Sequence, residues 1–193
     1  MELVFATSNQ NKIKELQALL PKKIKLKSLA NLQLDHIKLE ETGSTFQENA
    51  LQKAKAIYLK KGLPTFAEDS GLVVNSLDGA PGIYSARYAG EEATDQDNNK
   101  KLLESLKNKA DRSAYFIAVI VLYDGQEAHC FEGRCNGYIA MEAKGNEGFG
   151  YDPIFVPENF KQSFAELGLE KKNKISHRAL ALEKFREFLE RLR

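Results

Sequence analysis

The sequence predicts a mixed α/β fold. Strand-like and helix-like apolar periodicities alternate through the first half of the chain, and Asp124-Gly125 marks a hairpin between two apolar runs in the second half. Strand–helix alternation favours parallel pairing and a hairpin forces antiparallel pairing, so one sheet should carry both. A chain of 193 residues that is 42% hydrophobic fills a sizeable core, as one generous domain or as two tightly joined lobes.

Leu3 to Ala6 is a short apolar strand. Ser8 or Asn9 can cap a helix running to about Leu20, whose apolar stripe is Ile13, Leu16, Leu19 and Leu20. Lys23 to Leu29 alternates charged and apolar residues as a half-exposed strand does. Ser44 or Thr45 then opens a helix from Phe46 to Lys61, which Gly62 and Pro64 end. Pro64 to Glu68 is the next strand; it delivers Asp69 to the end of a sheet, where Gly71 permits a sharp exit. Thr94, with Asp97 three residues on, starts a helix to about Asn108. Ala114 to Tyr123 and Gln126 to Arg134 are the hairpin strands around a two-residue type I′ turn, and a short strand near Tyr138 to Met141 follows. Arg178 to Arg193 carries Leu180, Leu182, Phe185, Phe188, Leu189 and Leu192 at helical spacing and closes the fold. No repeat, low-complexity tract or flexible linker interrupts this order.

Charge narrows the partners. Twenty-eight Lys and Arg against 27 Asp and Glu leave a net charge of +1, so no global field recruits nucleic acid or an anionic membrane, and any anion site is local. The apolar start is too short and wrongly charged for a secretory signal and no run reaches membrane-spanning length, so the expected location is cytoplasmic. Cys130 and Cys135 lack paired His or Cys neighbours, which excludes a zinc site or a disulfide scaffold and leaves two thiols expected to be buried.

Five stretches carry chemistry. In Phe66 to Gly90 (FAEDSGLVVNSLDGAPGIYSARYAG), the carboxylates of Glu68 and Asp69, the Ser70 hydroxyl and Gly71 suit a divalent metal and phosphate chemistry, although Asp69-Ser70-Gly71 equally makes a polar turn. Thr7, Ser8, Asn9, Gln10, Asn11 and Lys12 place hydroxyls, backbone N–H groups and an ammonium at a helix N-terminus that attracts anions, or simply cap that helix. Asn49 and Lys53 share a helical face, either a binding face or a solvated one, and just before them Glu40 and Glu41 supply another carboxylate pair in a loop. Phe149, Gly150, Tyr151 and Asp152, after Gly148 and before Pro153, combine close backbone approach with aromatics able to stack on a flat ring, or form a tight aromatic turn. Lys172 with Ser176, His177 and Arg178 collects donors before the last helix, where cations oppose the helix dipole and an anion would repay them; a capped helix start is the alternative.

Taken in order, SNxxK, FxENAxxKA, EDSGLxVxxLxGxPGIYSARYAG, GFGYDPIF and SHRxxAL span almost the whole chain and resemble the inosine triphosphate pyrophosphatase family. That resemblance implies an elongated mixed β-sheet flanked by helices, two lobes with a nucleotide cleft between them, and a homodimer. It also implies Mg²⁺-dependent hydrolysis of dITP, ITP and XTP, purine nucleotides with a 6-oxo base, to the monophosphate and pyrophosphate. Carried over by residue, Thr7 to Lys12 would meet the triphosphate and Lys53 would add a phosphate contact. Asp69 would be general base and metal ligand, with Glu40 the second ligand, and Ser70 would touch substrate. Phe149 to Asp152, Lys172, His177 and Arg178 would hold the base. A related Maf-like pyrophosphatase acting on pyrimidines is opposed by GFGYDPIF and SHR, and a non-catalytic nucleotide binder by Lys12, Asp69 and Lys172.

Overall fold

The computed structural model describes residues 2–9, 12–13, 16 and 24–191. Strands β1 (Glu2–Phe5), β2 (Lys25–Ser28), β3 (Thr65–Val74), β4 (Ser113–Tyr123), β5 (Ala128–Ile139) and β6 (Phe155–Pro157) form one sheet in the order β2-β1-β3-β4-β5-β6. β1 is parallel to β2 and β3, and β5 is antiparallel to β6, so the sheet is mixed as the sequence predicts. Helices α1 (Phe46–Lys61), α2 (Asp95–Ser105), α3 (Phe164–Ile175) and α4 (His177–Arg191) accompany it. Between β1 and β2, Lys12, Ile13 and Leu16 are helical, whereas Leu19 and Leu20 lie outside the described residues. Among the described residues no helix is long and apolar enough to cross a membrane.

The sheet's alternation sorts the core of the first compact unit, residues 1–69, 118–133 and 179–193. Leu3 and Phe5 face one side with Phe66, Phe131 and the α4 residues Leu182 and Phe185, and Phe5 stacks on Phe66 at 4.7 Å. Val4 and Ala6 face the other side with Ala54 and Ile57 of α1. The second unit, residues 70–117 and 134–178, has its own core around Leu72, Val74, Phe116, Phe155 and Phe164.

The start and end of α1 follow the sequence signals. Thr45 Oγ1 accepts the Glu48 N–H at 3.1 Å, Glu48 accepts in return from Thr45 N, and Gly62 closes the helix at φ 64°. Its buried stripe is Asn49, Ala50, Lys53, Ala54 and Ile57, so two polar side chains are carried inward by the same periodicity that buries the alanines.

Five expectations are corrected. β3 does not stop at Glu68: it runs through Asp69-Ser70-Gly71 to Val74, because burial of Leu72 and Val74 outweighs the turn propensity of Asp, Ser and Gly. Gly71 takes no left-handed turn; the chain reverses later, with Gly79 and Gly82 at φ 87° and 57°. β5 continues to Ile139 and absorbs the first half of the separate strand expected at Tyr138 to Met141, since pairing of Gly137, Tyr138 and Ile139 with Pro157, Val156 and Phe155 extends it. The β4–β5 connection is four residues, 124–127, closed by Asp124 Oδ1 accepting the N–H groups of Gln126 and Glu127 at 2.8 Å each, instead of a two-residue type I′ turn. On the alternating β5, Cys135 points inward as expected whereas Cys130 is exposed.

α2 ends at Ser105, short of Asn108. α3 is an element the sequence reading omitted: Ser163 and Glu166 form its capping box, and Gly168 (φ 78°, ψ 163°) interrupts it.

Candidate active site

In the first unit the buried polar stripe of α1 meets β3. Lys53 Nζ lies 2.5 Å from Glu41 Oε1, 3.1 Å from the Glu68 carbonyl and 3.4 Å from Asp69 Oδ1. Asn49, one turn away, donates to Asp69 Oδ2 at 3.2 Å while its Oδ1 accepts the Gly43 N–H at 2.8 Å. The acidic loop is thereby fixed against α1. Gln52 adds a pair of bonds to Thr42, and a Cβ at Gly43 would come within 2.6 Å of Glu48 Cβ, so only glycine allows this approach. Docked in this way, the loop presents Glu41 to Lys53 and leaves Glu40 exposed. Of the loop's two carboxylates, the structure brings Glu41 to Lys53 and not Glu40, the one expected, and the docking of Gly43 on Asn49 decides that placement.

Burial pushes the Asp69 carboxyl above its ordinary range; Glu41 adds to the rise, and Lys53, Lys12 and the Asn49 hydrogen bond oppose it without cancelling it. Lys12 Nζ stands 3.4 Å from Glu68 Oε1 and 3.5 Å from its carbonyl, and the Glu68 side chain is fully buried. Thr7 Oγ1 accepts the Asn9 N–H and Asn9 Oδ1 accepts the Lys12 N–H, at 3.2 Å each, so Asn9 caps the turn that carries Lys12; Ser8 is exposed. Gln10 and Asn11 lie outside the described residues.

Among the described residues no group of three or more His, Cys, Asp and Glu converges. Glu41 and Asp69 nonetheless hold an ammonium between them, and two carboxylates that share one cation are hard oxygen donors of the kind that would suit a divalent ion. The donor set fits such an ion.

In the second unit Lys172 Nζ pairs with Asp152 Oδ2 at 2.7 Å, both side chains buried, and the same oxygen accepts the Phe149 N–H at 2.9 Å. The half-buried Phe149 ring lies beside two cations, 4.6 Å from Lys172 Nζ and 5.6 Å from Arg178 Cζ. Arg178 Nη2 reaches Ser70 Oγ at 3.4 Å. Tyr151 and His177 turn into the core: Tyr151 donates to the Ser85 carbonyl at 2.8 Å, and the His177 ring stacks on Phe116 at 4.7 Å. Of the two aromatics expected to stack on a flat ring, Phe149 is therefore the available one. Burial also drives the Tyr151 phenol upward, so it stays protonated.

Sequence reasoning passed over Asp95 and Asn99; it named Glu41 beside Glu40 in the acidic loop and Asn49 beside Lys53 on one helical face. The repeat of Asn49 and Lys53 with the alanines of α1 is the signal that both are carried inward. For Asp95 and Asn99 the spacing of four was present, but nothing in it named their partner.

The chain matches the Ham1 family over residues 3–188. It is 50% identical over 189 residues to the dITP/XTP pyrophosphatase of Christiangramia forsetii, covering 98% of this chain and 99% of that protein. It is 46% identical to the dITP/XTP pyrophosphatase of Bacillus subtilis, covering 98% and 97%. The Ham1 protein of Staphylococcus aureus superposes with a TM-score of 0.92 at 41% identity over the whole of both chains. The HAM1 protein of Coxiella burnetii gives 0.93 at 42% identity over 99% of each. A family match of this extent, with full-length relatives close to half identical, means that the chain belongs to the Ham1 family.

Proposed function

We propose that this protein hydrolyses dITP, ITP and XTP to the nucleoside monophosphate and pyrophosphate. The observation that carries the reading is the buried Asp69, oriented by Asn49, flanked by Lys53 and Glu41, and shifted toward the proton affinity a general base needs. The names borne by the full-length relatives support the substrate class.

Water attacks the α-phosphorus, the bond from that phosphorus to the bridging oxygen of the departing pyrophosphate breaks, and the proton of the attacking water passes to Asp69. The incoming oxygen meets a phosphate chain of several negative charges, so Lys12 and Lys53 lower the barrier by neutralising it as charge moves to the leaving group. Glu41 and Asp69 would hold Mg²⁺, which when bound supplies further neutralisation of the phosphate oxygens. In the second unit Phe149 offers a face to the purine, and Lys172 and Arg178 offer donors that match a 6-oxo acceptor and meet the 6-amino group of adenine unfavourably. The same reading has the protein act as a cytoplasmic homodimer on free nucleotides; the net charge of +1 supports the absence of a nucleic-acid partner.

The test is pyrophosphate release from ITP, XTP, GTP, ATP and UTP with Mg²⁺ present. Fast release from ITP and XTP with slow release from ATP and UTP is expected. Tight ITP binding without pyrophosphate, or a preference for UTP, refutes the reading.

A further inference from the structure

The Phe149 turn is gripped from α2 by two side chains that no part of the chemistry above uses. Asp95 Oδ2 accepts the Gly150 N–H at 2.6 Å, and Asn99 Nδ2 donates to the Gly150 carbonyl at 2.9 Å. The two residues are four apart and so lie on one face of α2, and between them they satisfy both backbone polar groups of a single glycine. That glycine has φ 63°, between Gly148 at φ 83° and the buried Asp152, so the peptides on either side of Phe149 have torsional freedom that the sequence does not restrict. Asp152 fixes one side by accepting the Phe149 N–H, and Asp95 with Asn99 fixes the other.

α2 is itself anchored. Asn98, between the two, accepts the Ala89 N–H at 2.7 Å and donates to the Ala86 carbonyl at 3.1 Å, and the Thr94–Asp97 capping box sets the helix start. Asn99 is buried, and its Oδ1 finds no hydrogen-bond partner among the described residues. An apolar side chain would avoid stranding that acceptor, so the feature that accounts for an asparagine here is the bond it donates to Gly150.

We propose that Asp95 and Asn99 are positioning residues for purine selection: by holding the Gly150 peptide they fix where the Phe149 ring stands beside Lys172 and Arg178. This rests on the proposed hydrolysis of 6-oxo purine nucleotides. Neither residue touches the reacting atoms, so their loss should change discrimination and leave the chemistry of the phosphates intact.

The experiment compares kcat/KM for ITP and for ATP in the parent and in Asp95→Ala, Asp95→Asn, Asn99→Ala and Asn99→Asp, with melting temperatures alongside. Asp95→Asn keeps an acceptor for the Gly150 N–H and should stay within about threefold of the parent. Asn99→Asp keeps shape but turns an acceptor toward the Gly150 carbonyl, so it should behave like or worse than Asn99→Ala. Asp95→Ala and both Asn99 variants should lower the ITP-to-ATP ratio about tenfold or more, chiefly through a higher KM for ITP, with ATP hydrolysis little changed. A merely structural role would lower both substrates together, or only the melting temperature, and that result overturns the inference. So does a parent that prefers ITP while every variant keeps the full preference; a parent with no preference refutes the function and the positioning role at once.

Discussion

Asp69→Asn separates what Asp69 does for catalysis from what it does to stability. The substitution conserves volume and removes the charge. In the parent, Asp69 Oδ2 accepts from Asn49 at 3.2 Å, and Asn49 cannot turn to offer its oxygen because that oxygen already accepts the Gly43 N–H. The new amide oxygen must therefore take the position facing Asn49, which leaves its NH₂ toward Lys53. Lys53 is not stranded, since it keeps Glu41 at 2.5 Å and the Glu68 carbonyl at 3.1 Å. Loss of a positioned base alone costs about 10²–10⁴ in rate, or ~2.7–5.5 kcal/mol of barrier, and loss of a metal-holding charge adds to it. Pyrophosphate release from ITP should fall at least about a hundredfold.

Stability should move the opposite way. Burial raises the folded-state carboxyl above its ordinary value of 3.8, so ionising Asp69 works against folding. The protonated group's advantage is complete below that ordinary value and is lost as pH rises through the raised, folded-state value. Asn carries no such penalty. In metal-free buffer near neutral pH, Asp69→Asn should melt at or above the parent, and the difference should shrink toward the ordinary carboxylate range; in a chain of this size about 1 kcal/mol corresponds to ~2–4 °C. Turnover within tenfold of the parent would show that Asp69 is not the base. A variant that melts well below the parent at neutral pH would show that the ionised pair with Lys53 stabilises the fold, against the sign argued here.

Lys12→Met should lower kcat/KM for ITP more than tenfold and also melt several degrees below the parent, because the fully buried Glu68 side chain loses a cation; adding Glu68→Gln should restore melting without restoring turnover, and parental melting in the single variant would refute the pairing. Tyr151→Phe removes the bond to the Ser85 carbonyl and should cost about 1 kcal/mol of stability with turnover little changed; a collapse of turnover at parental stability would place Tyr151 on the substrate. Arg178→Ala should reduce the ITP-to-ATP ratio of kcat/KM mainly through ITP, and an equal fall for both substrates would move Arg178 to a part of the nucleotide the two share.

What the sequence made legible was local chemistry. Thr45 and Glu48, Gly62, and Thr94 with Asp97 declare helix ends through bonds made within a few residues, and the structure has each. The S-x-x-E signal at Ser163 is equally local and announces α3, the helix that carries Lys172. The length of β3 is different in kind. Asp69-Ser70-Gly71 has turn propensity, and only the burial of Leu72 and Val74 in the second unit's core keeps the strand going. The choice between Glu40 and Glu41 also lies outside local pattern, for it is made by Gly43 pressing onto Glu48 and Asn49. Tyr151 could not be told from Phe149 by type, and it was sent into the core by a carbonyl far away in sequence, that of Ser85.

The two buried Lys–Asp pairs illustrate how position decides between structure and reactivity. Lys172 and Asp152 meet at 2.7 Å, and the acceptor oxygen of Asp152 also takes the Phe149 N–H, so the charge is closely compensated and the turn is held. Lys53 and Asp69 stand at 3.4 Å, and the ammonium is divided among Glu41, Asp69 and the Glu68 carbonyl. Divided attraction leaves the burial of Asp69 incompletely offset, and the carboxyl rises. A residue left short of compensation in this way binds a proton or a cation more readily than a well-paired neighbour. Sharing Lys53 with Glu41 thus leaves Asp69 readier to take up a proton, as the proposed base must be, and leaves two carboxylates where the proposed cation would be held.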